Sequence, residues 1–77
     1  MEIVNLGELR SFQKQHPSSR PSLNRWIDVV ESQSWRSHLE VKRTFPSADY
    51  VSPYHVFNIG GNNFRLVAVC VFSAGKV

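Results

Sequence analysis

The segment Tyr54–Phe72, YHVFNIGGNNFRLVAVCVF, constrains this chain more than any other. Two apolar runs rich in β-branched residues flank Gly60-Gly61-Asn62-Asn63, residue types that tolerate positive φ and close a hairpin. A short loop centred on this segment predicts one register, with Asn58 opposite Arg65 and Ile59 opposite Phe64. One face of the hairpin then carries Phe57, Ile59, Phe64, Leu66, Ala68, Cys70 and Phe72. The other carries Asn58 and Arg65 near the turn, then Val67, Val69 and Val71. A second strand that is apolar on both faces predicts a central place in a sheet, covered on each side. After it come only a turn signal, Ser73-Ala74-Gly75-Lys76, and Val77. The expectation is therefore an antiparallel sheet whose C-terminal part is missing.

Upstream of the hairpin the periodicity is helical. Glu2–Val4 can open the chain as a short strand. Asn5 is a candidate N-cap, with Glu8 as its capping-box partner. Leu6, Leu9 and Phe12 follow at intervals that predict a helix over 6–16, stopped by Pro17. Pro21 suits the first turn of a second helix. There Leu23, Trp26, Ile27 and Val30 form the i, i+3, i+4, i+7 stripe of a buried face, ending near Glu31 or Ser32. A third, shorter helix begins after Ser37 and breaks at Thr44-Phe45-Pro46. Pro46–Pro53 reads as a turn-rich connector. Helices first and antiparallel strands afterwards predict an α+β domain over 1–77, with the helices on one face of the sheet. Trp26 falls on the buried stripe; Trp35 sits at a junction and can be core or surface.

A chain of 77 residues with 42% apolar content has enough material for one small core. Its single cysteine, Cys70, excludes an internal disulfide and fits a reducing compartment. No apolar run approaches the roughly 18 residues needed to cross a bilayer, so the expected location is the cytoplasm, with no membrane partner. The formal charge is +3, and every acid lies at or before Asp49. The hairpin thus carries Arg65 and Lys76 without a carboxylate, which permits a polyanion partner and suits RNA better than a membrane surface.

Metal chemistry finds no support: His16, His38 and His55 are widely spaced in different elements, and Cys70 has no partner at ligand spacing. Cys70 falls on the presumed core face, where thiols are inert. Gly60-Gly61 precedes a strand, not a helix, and so reads as a turn. Asn58 and Arg65 interrupt otherwise apolar strands and face each other across the ladder. They form either a structural cross-strand pair on a solvated rim or a phosphate site, since a guanidinium forks onto phosphate oxygens. Asn62 and Asn63 can add amide donors from the turn. Tyr54 shares the face of Asn58 and can stack on a base or simply pack. His55 points the other way. Lys42 and Arg43 adjoin the connector, either solvated or touching an RNA backbone.

Three segments, HPSSRPSLNRW (16–26), SW…VKRTFPSAD (34–49) and HVFNIGGNNFRLVAV (55–69), together resemble the HigB-like toxins of bacterial type II toxin–antitoxin systems, within the RelE-like group of mRNA interferases. The resemblance implies a RelE-like α+β fold and an endoribonuclease that cleaves messenger RNA, commonly on the ribosome, without a cofactor or metal. Translation and growth would be inhibited, and a HigA-like helix-turn-helix antitoxin would neutralise the toxin. In the matching FNIGGNNFR segment it implies Arg65 as the phosphate-stabilising residue, with Asn58 orienting it. Lys42, Arg43, Tyr54, Asn62 and Asn63 are the expected RNA contacts. The resemblance also implies a further strand and a segment bearing His and Tyr beyond the second long strand, which these 77 residues do not include. The alternative expectation is a catalytically impaired, shortened toxin that serves only as an antitoxin- or RNA-binding module.

Overall fold

The computed structural model describes all 77 residues, Met1–Val77. Three helices, α1 (Leu6–Gln15), α2 (Arg20–Ser32) and α3 (His38–Thr44), precede a three-stranded sheet of β1 (Asp49–Val51), β2 (Tyr54–Ile59) and β3 (Phe64–Ala68). A short 3-10 turn, Pro17–Ser19, links the first two helices. The strands are antiparallel in the order β1-β2-β3. This is the expected α+β architecture.

The hairpin adopts the predicted register, with Phe57 opposite Leu66, Asn58 opposite Arg65 and Ile59 opposite Phe64. Gly60 and Gly61 take φ values of +62° and +69°, a region that residues with a Cβ enter at a cost. Strand alternation then separates the two faces. His55, Phe57 and Ile59 are buried, whereas Tyr54 is exposed and Val56 and Asn58 are half-buried.

The buried face meets α2, whose Leu23, Trp26, Ile27 and Val30 are all core residues. Phe57 is the centre of this packing. Its ring lies 5.3 Å from Trp26, 5.5 Å from Phe45 and 6.5 Å from Trp35, the last nearly parallel at 14°. Trp35 is thereby settled as core, and its indole N–H donates to Thr44 Oγ1 at 3.0 Å. Buried aromatic side chains carry large apolar area, and this cluster ties α2, α3 and the sheet together. Between α1 and α2 the contact is polar: buried Gln13 and exposed Arg10 both donate to Asn24 Oδ1 at 2.8 Å.

Several expectations need correction. β3 is an edge strand and not a central one. After Ala68 the chain leaves the ladder, and Val71 instead bridges back to Lys76 around a 3-10 turn at Phe72–Ala74. Val67, Val69 and Val71 consequently remain 45–58% exposed instead of being covered. An open, mostly apolar groove of about 370 Å³ follows β3, with Ile3, Val4 and Leu9 on its far wall. The connector 46–53 is not all turn, because Asp49–Val51 pairs with β2 and makes it the central strand. The opening strand reduces to one parallel bridge, Glu2 to Lys76.

Neither Asn5, the expected N-cap of α1, nor Ser37, which stands at the N-cap of α3, makes a side-chain capping bond. At α1 the Glu8 amide donates to the backbone carbonyl of Asn5 at 3.1 Å. At α3, Glu40 reaches back to accept from the Arg36 amide at 2.9 Å, which ties the segment before the helix to its first turn.

The two sheet faces should respond differently to truncation. Ile27→Val is expected to lower unfolding stability by about 0.5–1.5 kcal/mol. Val67→Ala on the open face should change it by less than about 0.5 kcal/mol. Urea melts with unchanged slope would check both, and equal losses would place Val67 in an interior.

Candidate nucleic-acid interface

No helix covers the second face of the sheet. Register and alternation assign to it Asp49 and Val51 from β1, Tyr54, Val56 and Asn58 from β2, and Arg65 and Val67 from β3. Polar groups collect at the turn end, where Asn58 and Arg65 are opposed and Asn62 and Asn63 follow in an exposed loop. The only turn bond runs from the Asn63 amide to the Gly60 carbonyl at 3.4 Å. Toward the other end the face is apolar, with Val51 63% and Val67 58% exposed.

The pairing of Asn58 with Arg65 is one of strand register and not of a side-chain hydrogen bond. The side-chain hydrogen bonds of the chain all lie elsewhere and none involves Asn58 or Arg65. The rim reading weakens accordingly. An exposed guanidinium with no carboxylate partner keeps its five donors for a ligand. Arg65 borders a recess of about 220 Å³ shared with Glu8, Leu9 and Phe12 of α1, and Glu8 makes no ion pair there. Asn58 borders a different recess, shared with Ser22 and Arg25 of α2.

The other expected contacts separate. Tyr54 lies two residues from Val56 and four from Asn58 on the same face, 49% exposed, with its ring free to stack. Arg43 is exposed at the end of α3. Lys42 is already engaged: its ammonium donates to the Ala48 carbonyl at 2.7 Å and stands 4.0 Å from Asp49. That geometry secures the entry into β1 and uses one of the three ammonium donors, on a side chain that is 45% exposed.

The histidines take no place on the open face. His55 is 2% exposed and sits on the buried side, 4.7 Å from the Tyr50 ring and 5.1 Å from the His38 ring, with Phe57 and Phe72 completing its surroundings. Neither of its ring nitrogens has a hydrogen-bond partner. Burial lowers its pKa below the ordinary 6.5, and the neighbouring His38 lowers it further. No group of three potential metal ligands is assembled anywhere. Burial also pushes the Cys70 thiol up to about 11, which keeps it protonated and unreactive at neutral pH.

Sequence reasoning missed two features. One is Arg25, whose approach to the hairpin turn is a tertiary contact with no signature in residue spacing. The other is the His38–Tyr50–His55 cluster, which depends on the unexpected strand β1: Tyr50 opposes His55 in the ladder.

A family model described as "HigB_toxin, RelE-like toxic component of a toxin-antitoxin system" matches residues 19–77. The mRNA interferase toxin HigB of Escherichia coli (strain K12) is 27% identical over 79 aligned residues, covering 99% of this chain and 76% of the relative. The mRNA interferase HigB of Shigella flexneri gives the same figures. That of Escherichia coli O6:H1 is 24% identical over 75 residues, covering 94% of this chain and 73% of its own length.

The buried imidazole has a thermodynamic signature. His55 has a lowered folded-state pKa, so the unfolded chain binds its proton more readily, and stability falls as pH drops below 6.5. Urea midpoints should decrease between about pH 7.5 and about pH 5, and His55→Leu should flatten that slope. Parallel pH curves for the two proteins would show that His55 is not the group responsible.

Proposed function

This chain belongs to the HigB family of RelE-like toxins, and we propose that it is the toxin of a type II toxin–antitoxin pair that cleaves messenger RNA in the cytoplasm. The observation that carries this reading is the exposed Arg65, free of any carboxylate, beside Asn58 on the sheet face that no helix covers. The relatives named as mRNA interferases support the substrate class. Ribosome-bound message is the expected substrate, and inhibition of translation and growth the expected consequence. The antitoxin would be a HigA-like helix-turn-helix protein. No helix of the chain is long and apolar enough to cross a membrane.

The chemistry follows from what a phosphodiester needs. The ribose 2′-oxygen attacks the adjacent phosphorus as the bond to the 5′-oxygen breaks, leaving a 2′,3′-cyclic phosphate and a 5′-hydroxyl. One proton leaves the nucleophile and one reaches the leaving oxygen. Negative charge grows on the phosphoryl oxygens, and in this reading the Arg65 guanidinium holds it through two parallel N–H bonds. The Asn58 carboxamide, opposite it in the ladder, both donates and accepts, and fixes the phosphate relative to the strand. Tyr54 offers a ring for the neighbouring base. Asn62, Asn63 and Arg43 supply outlying contacts.

A second reading has its own observation. The open face holds no imidazole, and buried His55 is out of reach of a ribose hydroxyl. A module that binds antitoxin or RNA without cutting would need the same face and no proton shuttle.

Induced synthesis of this chain should arrest growth and leave discrete cuts in messages. Arg65→Ala should reduce cleavage about 100- to 1,000-fold, the scale of losing one transition-state donor. Its unfolding midpoint should not move, because the side chain is exposed. Intact messages and normal growth at good expression would contradict the nuclease reading, and RNA binding under those conditions would establish the binding module.

A further inference from the structure

We propose that the recess between α2 and the hairpin turn, walled by Ser22, Arg25, Asn58, Gly60 and Gly61, binds a phosphate group. It measures about 210 Å³, and no carboxylate lines it. On the α2 side Arg25 and Ser22 offer a guanidinium and a hydroxyl, and on the other side the chain from Asn58 to Gly61 closes the recess, donors of the kind that hold a phosphate without metal. Arg25 is exposed and enters no ion pair; the one such pair in the chain joins Lys42 to Asp49. Asp28, one turn further along α2, makes none with it.

Two features of the lining bear on this. Trp26, which borders both this recess and the groove beside β3, is 3% exposed and its buried indole N–H has no hydrogen-bond partner. Gly60 brings bare backbone against α2: a Cβ there would lie 3.3 Å from Ser22 Oγ, and the residue's φ of +62° disfavours one in any case. Residue order offers no helix after the glycines to receive an anion. The fold supplies one from elsewhere, since α2 reaches the turn from more than thirty positions upstream.

The ligand chemistry is a phosphate oxyanion, either free or in a nucleic-acid backbone. For the backbone case the inference rests on the RNA reading above. Asn58 borders this recess and opposes Arg65 on the next strand, about 5 Å away. A single strand crossing the hairpin end would place one phosphate at Arg65 and a neighbouring one at Arg25.

The test is amide and side-chain NMR on the 77-residue chain, titrated with inorganic phosphate and, separately, with a short 2′-O-methylated single-stranded RNA that resists cleavage. Saturable shifts are expected at Gly60, Gly61, the Asn58 carboxamide and the Trp26 indole. Arg25→Gln should weaken phosphate binding at least about five-fold and lower the salt slope of RNA binding by about one. Saturation by phosphate but not by RNA would support the recess and remove the RNA reading. RNA binding weakened by Arg65→Ala and untouched by Arg25→Gln, with no saturable shift on adding phosphate, would overturn the recess and leave the nuclease reading standing. Shifts that do not saturate in either titration would overturn it outright. Should Arg25→Gln fail to fold, the titrations of the unaltered chain decide the matter.

Discussion

The register of one hairpin governs this protein. Side chains alternate along a strand with a period of two, so a slip of one residue exchanges every inward group for an outward one. Gly60 and Gly61, both at positive φ, fix that register by closing the loop between Ile59 and Phe64. Phe57 and Ile59 then point at α2, and Asn58 and Arg65 point away. With the opposite phase the guanidinium would take the place of Phe64 or Leu66 among Leu9, Phe12 and Leu23, where burying an unpaired charge is prohibitive.

That division of faces also sets the electrostatics. Beneath the sheet the environment is aromatic and buried, which lowers the His55 pKa below its ordinary value. Above it, the turn end presents amides and an unpaired arginine, and the one acid of this face, Asp49, opposes Val56 and stands 4.0 Å from the Lys42 ammonium. A polyanion approaching the turn therefore meets donors first. The apolar remainder of the face and the open edge of β3 have a different character. Unpaired backbone and exposed valines are surfaces on which another chain can add a strand, and the expected antitoxin would meet them as readily as the arginine.

How much of this can be read from residue order varies by element. The hairpin pairing is legible because glycine and asparagine in the turn agree with alternation on both sides. The buried stripe of α2 is legible because its four apolar residues sit at helical spacing and all four are core. β1 is hidden: its three residues lie between Pro46 and Pro53, whose turn signals outweigh so short a strand. The edge position of β3 is misread because apolar residues on both faces ordinarily mean cover, whereas here the chain departs at Ala68 and leaves them exposed. Of the candidate site, Asn58, Arg65 and Tyr54 fall together on the open face as alternation requires. Lys42 is diverted by the Ala48 carbonyl, a partner six residues away that no charge count reveals. Arg25 is invisible for the same reason, because only tertiary packing brings α2 to the turn.

The register itself is open to direct measurement. Backbone proton contacts across β2 and β3, observed by nuclear Overhauser spectroscopy in solution, should join Asn58 to Arg65 and Phe57 to Leu66. Contacts joining Asn58 to Phe64 or to Leu66 instead would mean a ladder displaced by one residue, with Arg65 turned toward the helices, and would contradict the account at its root.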